Sequence, residues 1–332
     1  MKRKSIYFNY IFSLVVVLLF AVGCTKNKEY AIPTPKDVLQ NNVIKRTLGP
    51  NIVGQKIEFA YAMAILPEKG KLVSAEVEAS ISGATGTFLE NKSYYTDGGG
   101  VDVGIQVGSA SVTTATKTKV TFTKDTSAAT LRYYYVIPEE ARGKTVSFTF
   151  SAKSSDGESV SYNVGPYTIA KMDMTRNITV SDGNLAYLSI ADMAAYNATT
   201  AASSPDKIDL VYLYRNLTTS AFNHALVSPA ADVAYLPGIT LPTGVNRSTK
   251  IIKVFNLQDF NLAQLQYGIY IDDLDFLQID FSTAPNYAIN LKLDAGAWVE
   301  TADGKYRAYI YMNAVNNTTK SATISMKRYT LK

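Results

Sequence analysis

Few residues in this chain have the types and spacing that chemistry needs. His224 is the only histidine among 332 residues. A Ser-His-Asp triad or a histidine-rich metal site would have to use it. Its setting, Phe222-Asn223-His224-Ala225-Leu226, has no nucleophile elbow and no second histidine. It reads as a packed or surface histidine. Asp272, Asp273, Asp275 and Asp280 form the densest acidic cluster. On a strand, Asp273 and Asp275 share one face and Asp272 takes the other. Such carboxylates suit Ca²⁺, which takes oxygen ligands, or one half of a glycosidase pair. No D-x-D-x-D-G pattern accompanies them and no second carboxylate can be named. Asp272, Asp273 and Asp275 therefore stand as weak metal-ligand candidates against a plain polar strand end. Asp97-Gly98-Gly99-Gly100 lacks the Lys-Ser/Thr and the helix of a phosphate loop, and reads as a hairpin tip.

Tyrosine is the unusual component, with 23 residues against one tryptophan. A tyrosine offers a flat apolar face and a hydroxyl, which suits sugar or peptide recognition. Neighbouring tyrosines on a strand point to opposite faces, so about half of those in clusters such as Tyr133-Tyr134-Tyr135 belong to the core. The candidates for ligand contact are Trp298, Tyr235 and Tyr306, all in the second half of the chain. Trp298 is expected to be an exposed stacking surface. No catalytic set emerges, so the chain is expected not to be an enzyme and to need no cofactor.

The N-terminus gives an address. Lys2, Arg3 and Lys4 precede an apolar run from Ile11 to Val22, which closes on Ala21-Val22-Gly23-Cys24. A basic start, a short apolar core and small residues at the cut make an export signal over 1–23. The run is too short for a bilayer, which needs about 20 apolar residues. Cys24 is the only cysteine, at the position where a lipobox receives its diacylglycerol. Loss of residues 1–23 removes three cations and no acid, so the net charge falls from +5 to near +2. No clustered basic face argues for nucleic acid. The body then holds by packing alone, without disulfides.

Residues 24–50 read as the lipidated cysteine and a tether, with Pro33, Pro35 and Pro50 favouring extended backbone. Residues 51–172 alternate apolar and polar, as in Ile57 to Ile65, Ala75 to Ile81 and Lys119 to Thr123. Period two marks a sheet with one buried face. Ser155-Asp156-Gly157 is a hairpin turn between two such runs. Roughly seven short strands over this length predict an immunoglobulin-like β-sandwich. Lys171 to Asn184 is expected to join the domains. Residues 173–332 predict a second antiparallel β-sandwich, jelly-roll-like, in an all-β chain. Ile208 to Tyr214 looks like a strand buried on both faces, and Gln258 to Gln266 a short helix. Tyr287–Leu293, Ala297–Glu300, Tyr306–Val315 and Thr323–Tyr329 read as an antiparallel meander. The long irregular stretches 191–204 and 228–248 place the expected binding role mainly in this half, since binding residues favour loops on a rigid scaffold.

With these parts in place, the chain resembles the accessory surface lipoproteins of Bacteroidetes encoded beside SusC/SusD-type uptake systems. Ala21-Val22-Gly23-Cys24, the Pro-bearing tether and the sandwich carry the resemblance. So do Leu131-Arg132-Tyr133-Tyr134-Tyr135-Val136-Ile137-Pro138 with Ala141-Arg142-Gly143-Lys144, and Trp298-Val299-Glu300-Thr301-Ala302-Asp303-Gly304-Lys305-Tyr306. These stretches look like an uncharacterised two-domain family sometimes labelled putative lipid-binding. The resemblance implies a lipid-anchored outer-membrane protein, at the cell surface or on the periplasmic face. It would bind a glycan or peptide nutrient for a SusC/SusD-type transporter, without catalysis. The alternative is a fimbrial or adhesin-type structural subunit. In that reading Arg46, after Lys45, is a maturation cut that frees a strand for exchange between subunits.

Overall fold

The computed structural model describes residues 36–217 and 221–332, and Val38–Lys332 forms one compact unit. The expected signal segment 1–23, Cys24 and residues 25–35 of the expected tether lie outside the described residues. The first half runs β1 (Gln40–Lys45), β2 (Lys56–Ala64), β3 (Leu72–Ala79), β4 (Phe88–Leu89), β5 (Lys92–Thr96), β6 (Asp102–Gln106), β7 (Val112–Thr114), β8 (Lys117–Thr121), β9 (Ala128–Val136), β10 (Thr145–Ser154) and β11 (Ser159–Thr168). Two sheets, in the orders β1-β2-β9-β4 and β11-β10-β3-β8-β7, face each other, with β5 and β6 as a separate hairpin.

Period two builds this sandwich. Ile57, Phe59, Tyr61 and Met63 of β2 point inward, as do Leu131, Tyr133 and Tyr135 of β9, while Tyr134 stays outside. Phe148 and Phe150 of β10 meet them from the other sheet. Phe59 and Phe148 have ring centroids 4.9 Å apart at 60°, and Tyr135 and Phe148 5.0 Å apart at 79°. These edge-to-face contacts add to the burial of large rings. The Ser155-Asp156-Gly157 turn joins β10 to β11, with Gly157 at φ +93.

Two boundaries differ from expectation. Residues 40–45 fall in the stretch expected as tether, yet pair antiparallel with β2 from Gln40↔Ala64 to Lys45↔Phe59. A polar sequence becomes a strand here because β2 offers an open edge and Leu39 and Val43 fill the rim of the core. Period two is invisible with so few apolar residues. Likewise Lys171 to Asn184 is not a bare linker. Most of it is β12 (Asp173–Ser181), paired with the last strand of the chain.

The second half continues β13 (Tyr187–Ser189), β14 (Ala194–Tyr196), helix α1 (Ala198–Ser203), β15 (Leu210–Arg215), β16 (Asn223–Val227) and β17 (Lys250–Phe255). Short helices α2 (Phe260–Ala263) and α3 (Asp273–Gln278) follow, then β18 (Tyr287–Leu291), β19 (Ala295–Glu300), β20 (Tyr306–Asn316) and β21 (Ser321–Thr330). The sheets are β12-β21-β20-β19-β17 and β14-β13-β15-β16-β18. The fold is a two-domain β-sandwich. The expected meander holds for β19, β20 and β21, but β18 belongs to the opposite sheet and pairs with β16. Asp294, at φ +65, sits at the corner where the chain changes sheet.

Each sheet of the second sandwich is buried twice. Between them lie Leu188, Tyr212, Leu226, Ile251, Ile310 and Ile324. A separate cluster on the outer side of one sheet joins Trp298, Tyr309 and Tyr311 to Leu262, Ile271 and Phe276 from α2, α3 and their connection. A third covers the other sheet with Ala201, Leu236 and Val245 from the loops. Strands covered on both faces show apolar runs rather than alternation. The buried runs of β15 and β19 have this character.

The two domains pack closely at residues 168–173. Ala170 N–H donates to Asn51 O at 2.8 Å, and Asn51 Nδ2 to Thr168 O at 2.8 Å. Arg142 reaches across from the first domain, with Nη2 2.7 Å from Asp173 Oδ1 and Nη1 donating to Lys171 O at 2.9 Å.

Candidate functional site

The residues marked in the sequence are not brought together. Trp298 is 5% exposed, packed against Phe276 at 5.3 Å and Tyr309 at 4.8 Å between ring centroids. It belongs to the core beneath α3 and presents no face to a ligand, which corrects the expectation of a stacking surface. The signal was the unbroken apolar run Ala295 to Val299. It leaves no solvent side for the indole. Tyr235, in the 3-10 turn Val233–Tyr235, stacks on Tyr287 with centroids 3.5 Å apart at 15°, so one ring face is covered.

Asp272, Asp273 and Asp275 sit at a helix start rather than on a strand, a second correction. Asp272 caps α3 through its Oδ1, which accepts from Leu274 N–H at 2.8 Å, and Asp275 Oδ2 accepts from Asp272 N–H at 2.8 Å. This reciprocal capping satisfies otherwise orphaned donors. Asp273 accepts from Lys171 N–H at 2.7 Å and Met172 N–H at 3.2 Å, so it ties α3 to the domain joint. Among the described residues no group of three or more His, Cys, Asp or Glu is arranged to hold a metal ion. His224 is 2% exposed, between Tyr212 OH at 2.6 Å and Asn317 Oδ1 at 2.8 Å. Burial lowers its pKa from the ordinary 6.5.

Tyr306 lines a small polar crevice with Asp209, Arg247 and Asp303. Arg247 Nε stands 3.0 Å from Asp209 Oδ1, and its Nη2 3.0 Å from Asp303 Oδ2. Burial pushes the Asp209 carboxyl up to about 6 despite the guanidinium and the Ile190 N–H. Asp303 is partly desolvated, yet hydrogen bonds from Thr301, Lys305 N–H and Arg247 hold it down at about 2. Arg247 also donates to Asp206 O, so this network clamps three loops together.

Room for a ligand appears instead on the outward face of the first sheet. An open trough of about 750 Å³ lies over the ends of β1, β2 and β9. The register Asn42↔Ala62↔Thr130 and the pair Ala64↔Ala128 set its floor. Side chains here are small, where a solvated sheet face ordinarily carries long polar ones. Ser93 of β5 forms one wall, its Oγ accepting from Thr130 N–H at 3.0 Å, and Tyr162 of β11, 41% exposed, contributes to the lining. The lining carries amides and hydroxyls from Asn41, Asn42, Ser93 and Thr130 and no charged group.

Farther along the same face the character changes. Ala60 opposes Ile44 and Arg132. The Arg132 guanidinium lies 4.0 Å above the Tyr94 ring and pairs with Asp102 of the β5–β6 hairpin. Arg46 Nε sits 2.9 Å from Glu58 Oε1. A hydrogen bond with Glu90, together with partial burial, pushes the Tyr94 hydroxyl up to about 12. Sequence reading missed this face because alanines at alternate positions look like weak core residues.

The comparisons with known proteins divide the chain at the same joint. Residues 36–169 match the model of a domain of unknown function, DUF4466, and residues 170–331 that of a second, DUF8576. A crystal structure of a DUF4466 family protein from Parabacteroides merdae ATCC 43184 is similar over 90% of this chain and 100% of its own, with 49% identity and a TM-score of 0.84. A cohesin module from a Clostridium perfringens family 33 glycoside hydrolase covers 40% of this chain and 98% of its own at 14% identity, with a TM-score of 0.25. No curated protein matches. With 49% identity to a DUF4466 family protein along nearly its whole length, the chain belongs to the DUF4466 family.

Proposed function

We propose that this protein is a non-catalytic, lipid-anchored outer-membrane protein that binds a glycan or peptide nutrient for a SusC/SusD-type transporter. The observation that carries the reading is the trough on the first sheet, floored by Ala62, Ala64, Ala128 and Thr130 and bordered by Ser93 and Tyr162. Neutral amides, hydroxyls and one aromatic ring suit an uncharged, hydroxyl-rich chain better than a phosphate backbone. The ligand role moves from the second domain, where it was expected, to the first. The anchor and the export signal rest on the sequence pattern ending at Cys24.

Calorimetric titration of the intact protein with neutral oligosaccharides and with peptides tests the reading. Ala62→Arg fills the trough and should weaken binding at least about tenfold, since the ligand loses shape-matched contact and meets a desolvated charge. Binding indifferent to Ala62→Arg removes the site. Turnover of the bound ligand removes the non-catalytic role.

One observation favours the second reading, a structural subunit. β1 ends at Lys45, one residue before Arg46, and is the edge strand of its sheet. A cut after Arg46 would leave β1 held by non-covalent contacts alone: its pairing with β2, the burial of Leu39 and Val43, and hydrogen bonds from Leu39 N–H to Glu158 and from Asn41 Nδ2 to Phe150 O. Its loss would open the β2 edge to a strand from another copy. Filaments formed after such a cut, and absent from uncut protein, would establish this reading.

A further inference from the structure

A second depression of about 540 Å³ lies where the two domains meet. One wall is the β1–β2 connection, with Arg46, Asn51, Gln55 and Lys56. The other is Phe260, Asn261 and Tyr270 from the segment around α2. We propose that this cleft binds the carboxylate of an acidic saccharide.

The charge is of one sign. Two cations line the cleft and no carboxylate does. Lys56 is exposed, its Nζ 5.5 Å from the Tyr134 ring centre, with no carboxylate partner among the described residues. Arg46 is oriented by Glu58, which holds Nε at 2.9 Å, while Asp102 stands 3.8 Å from Nη2. A guanidinium held on one edge keeps donors on the other, the geometry that suits a carboxylate.

The far wall is built with equal care. Lys327 is fully buried and donates to Asp259 Oδ2 at 2.7 Å, to Ile271 O at 2.7 Å and to Asn261 Oδ1 at 3.0 Å. With its oxygen committed, Asn261 has only its amide N–H groups left for the cleft. Beside it the Phe260 and Tyr270 rings lie 5.1 Å apart, and Tyr270 packs flush on Gly49. A Cβ at Gly49 would stand 2.2 Å from that ring, so the close approach requires glycine. The two domains are thereby fixed face to face, and the cleft is preformed.

The site combines donors and cations with an aromatic wall and side-chain amides. A carboxylate on a sugar ring meets all three. A peptide recognised by strand addition would need a free backbone edge, which this cleft does not use. The cleft and the trough lie along the same sheet face, with Ala60, Arg132 and Glu58 between them. Ala62 and Lys56 lie on the same face of β2, about 20 Å apart at the usual rise per residue. A saccharide chain running along β2 would place neutral residues over the alanines and an acidic one at the joint. The choice of saccharide rests on the glycan-binding reading. The preference for a carboxylate does not.

The test is calorimetry on the intact protein with oligogalacturonates and glucuronate-bearing oligosaccharides, each against its methyl ester. The acids should bind about tenfold or more tighter than their esters, and that preference should fall with added salt. Lys56→Gln and Arg46→Gln should each reduce the preference about tenfold, and Gln55→Trp, which fills the cleft, should abolish it. Ala62→Arg should weaken neutral and acidic chains alike while the acid–ester ratio stays. If Ala62→Arg changes nothing but the ratio persists, the trough reading falls and this one stands. Equal affinity for acid and ester throughout the series, a ratio indifferent to Lys56→Gln, or binding of acidic peptides without saccharides overturns the proposal.

Discussion

The outward face of the first sheet and the outward face of the β19–β20–β21 sheet make opposite use of the same architecture. In the first domain the face over β1, β2 and β9 carries Ala60, Ala62, Ala64 and Ala128 and stays open beside a hairpin wall. In the second, α2, α3 and their connection lie over the sheet and bury Trp298, Tyr309 and Tyr311 beneath Phe276. Long connections suggested a binding surface in the second domain. Those stretches, 191–204 and 228–248, instead cover the other sheet with Ala201, Leu236 and Val245, while the segment around α2 is pinned by the fully buried pair Lys327–Asp259. A loop is available for a ligand only when its own side chains are not needed to cover a sheet.

The strongest way to break this comparison is to remove the pin. Lys327→Met leaves Asp259 buried with its charge uncompensated, though Leu262 and Ile271 N–H still donate to it at 2.9 Å and 2.7 Å. Breaking one side of a buried pair costs about 3–5 kcal/mol. Urea unfolding followed by Trp298 fluorescence would read it, since that indole reports on this very core. Trp298→Ala should cost a similar amount, about 3–5 kcal/mol, from a cavity under α3. Ligand affinity of the folded protein should be unchanged in both, apart from acid preference in Lys327→Met, because Asn261 loses its holder. A loss of under about 1 kcal/mol in Lys327→Met would mean that the loops are not part of the core.

The domain joint carries a smaller effect. Asp273→Ala orphans the N–H groups of Lys171 and Met172 and should cost about 1–2 kcal/mol. Trypsin should then cut after Lys171 faster than in the wild type, where Arg142, Asn51 and Asp273 hold 168–173. Equal cleavage rates would show that the joint does not depend on this contact.

The architecture was legible in the sequence where periodicity was strong. β2, β9 and β10 follow from alternation, and β15 from its unbroken apolar run. The candidate site was much less so. Residue type alone turns Trp298 outward, whereas the unbroken apolar run from Ala295 to Val299 marks a strand covered on both faces. The Asp272–Asp275 cluster was read as a strand end, although Asp-x-x-Asp ahead of Phe276 can equally start a helix. β1 lacks a pattern because its partner supplies the order. The alanine floor and the joint cleft arise from register and from contact between segments over 200 residues apart, which no local spacing reveals.

Two buried groups of the second domain sharpen the contrast through pH. His224 has its pKa lowered by burial, so the fold keeps it neutral while the unfolded chain takes up a proton below about 6.5. Its contribution is present above that pH and is lost as pH falls. Asp209 is raised to about 6 from an ordinary 3.8, so its contribution is present in acid and is lost as pH rises through about 6. The two slopes oppose each other between pH 7 and pH 5. Relative to wild type, His224→Gln should therefore gain stability on acidification across that window, and Asp209→Asn should lose it. Denaturation midpoints at three pH values would show the signs, and slopes of the same sign in both variants would refute the assignment.

The smallest expected effect on stability is at the site itself. Ala62 lies on the open side of β2, opposite Asn42 on one neighbour and Thr130 on the other. An arginine there needs no cavity and breaks no hydrogen bond, because the ladder bonds are backbone and the face is already solvated. Ala62→Arg should change unfolding free energy by no more than about 0.5 kcal/mol, as surface substitutions do. β-propensity adds little at a position with small cross-strand neighbours. The matching change on the covered outer face, Gly296→Arg, would drive a guanidinium into Tyr309, whose Cζ stands 2.7 Å from a Cβ placed there, and should prevent folding. The pair of substitutions measures the difference between an open and a covered sheet face, with an arginine introduced into each. Comparable destabilisation by both would mean that the first face is packed as well, and the trough would lose its claim to be a binding surface.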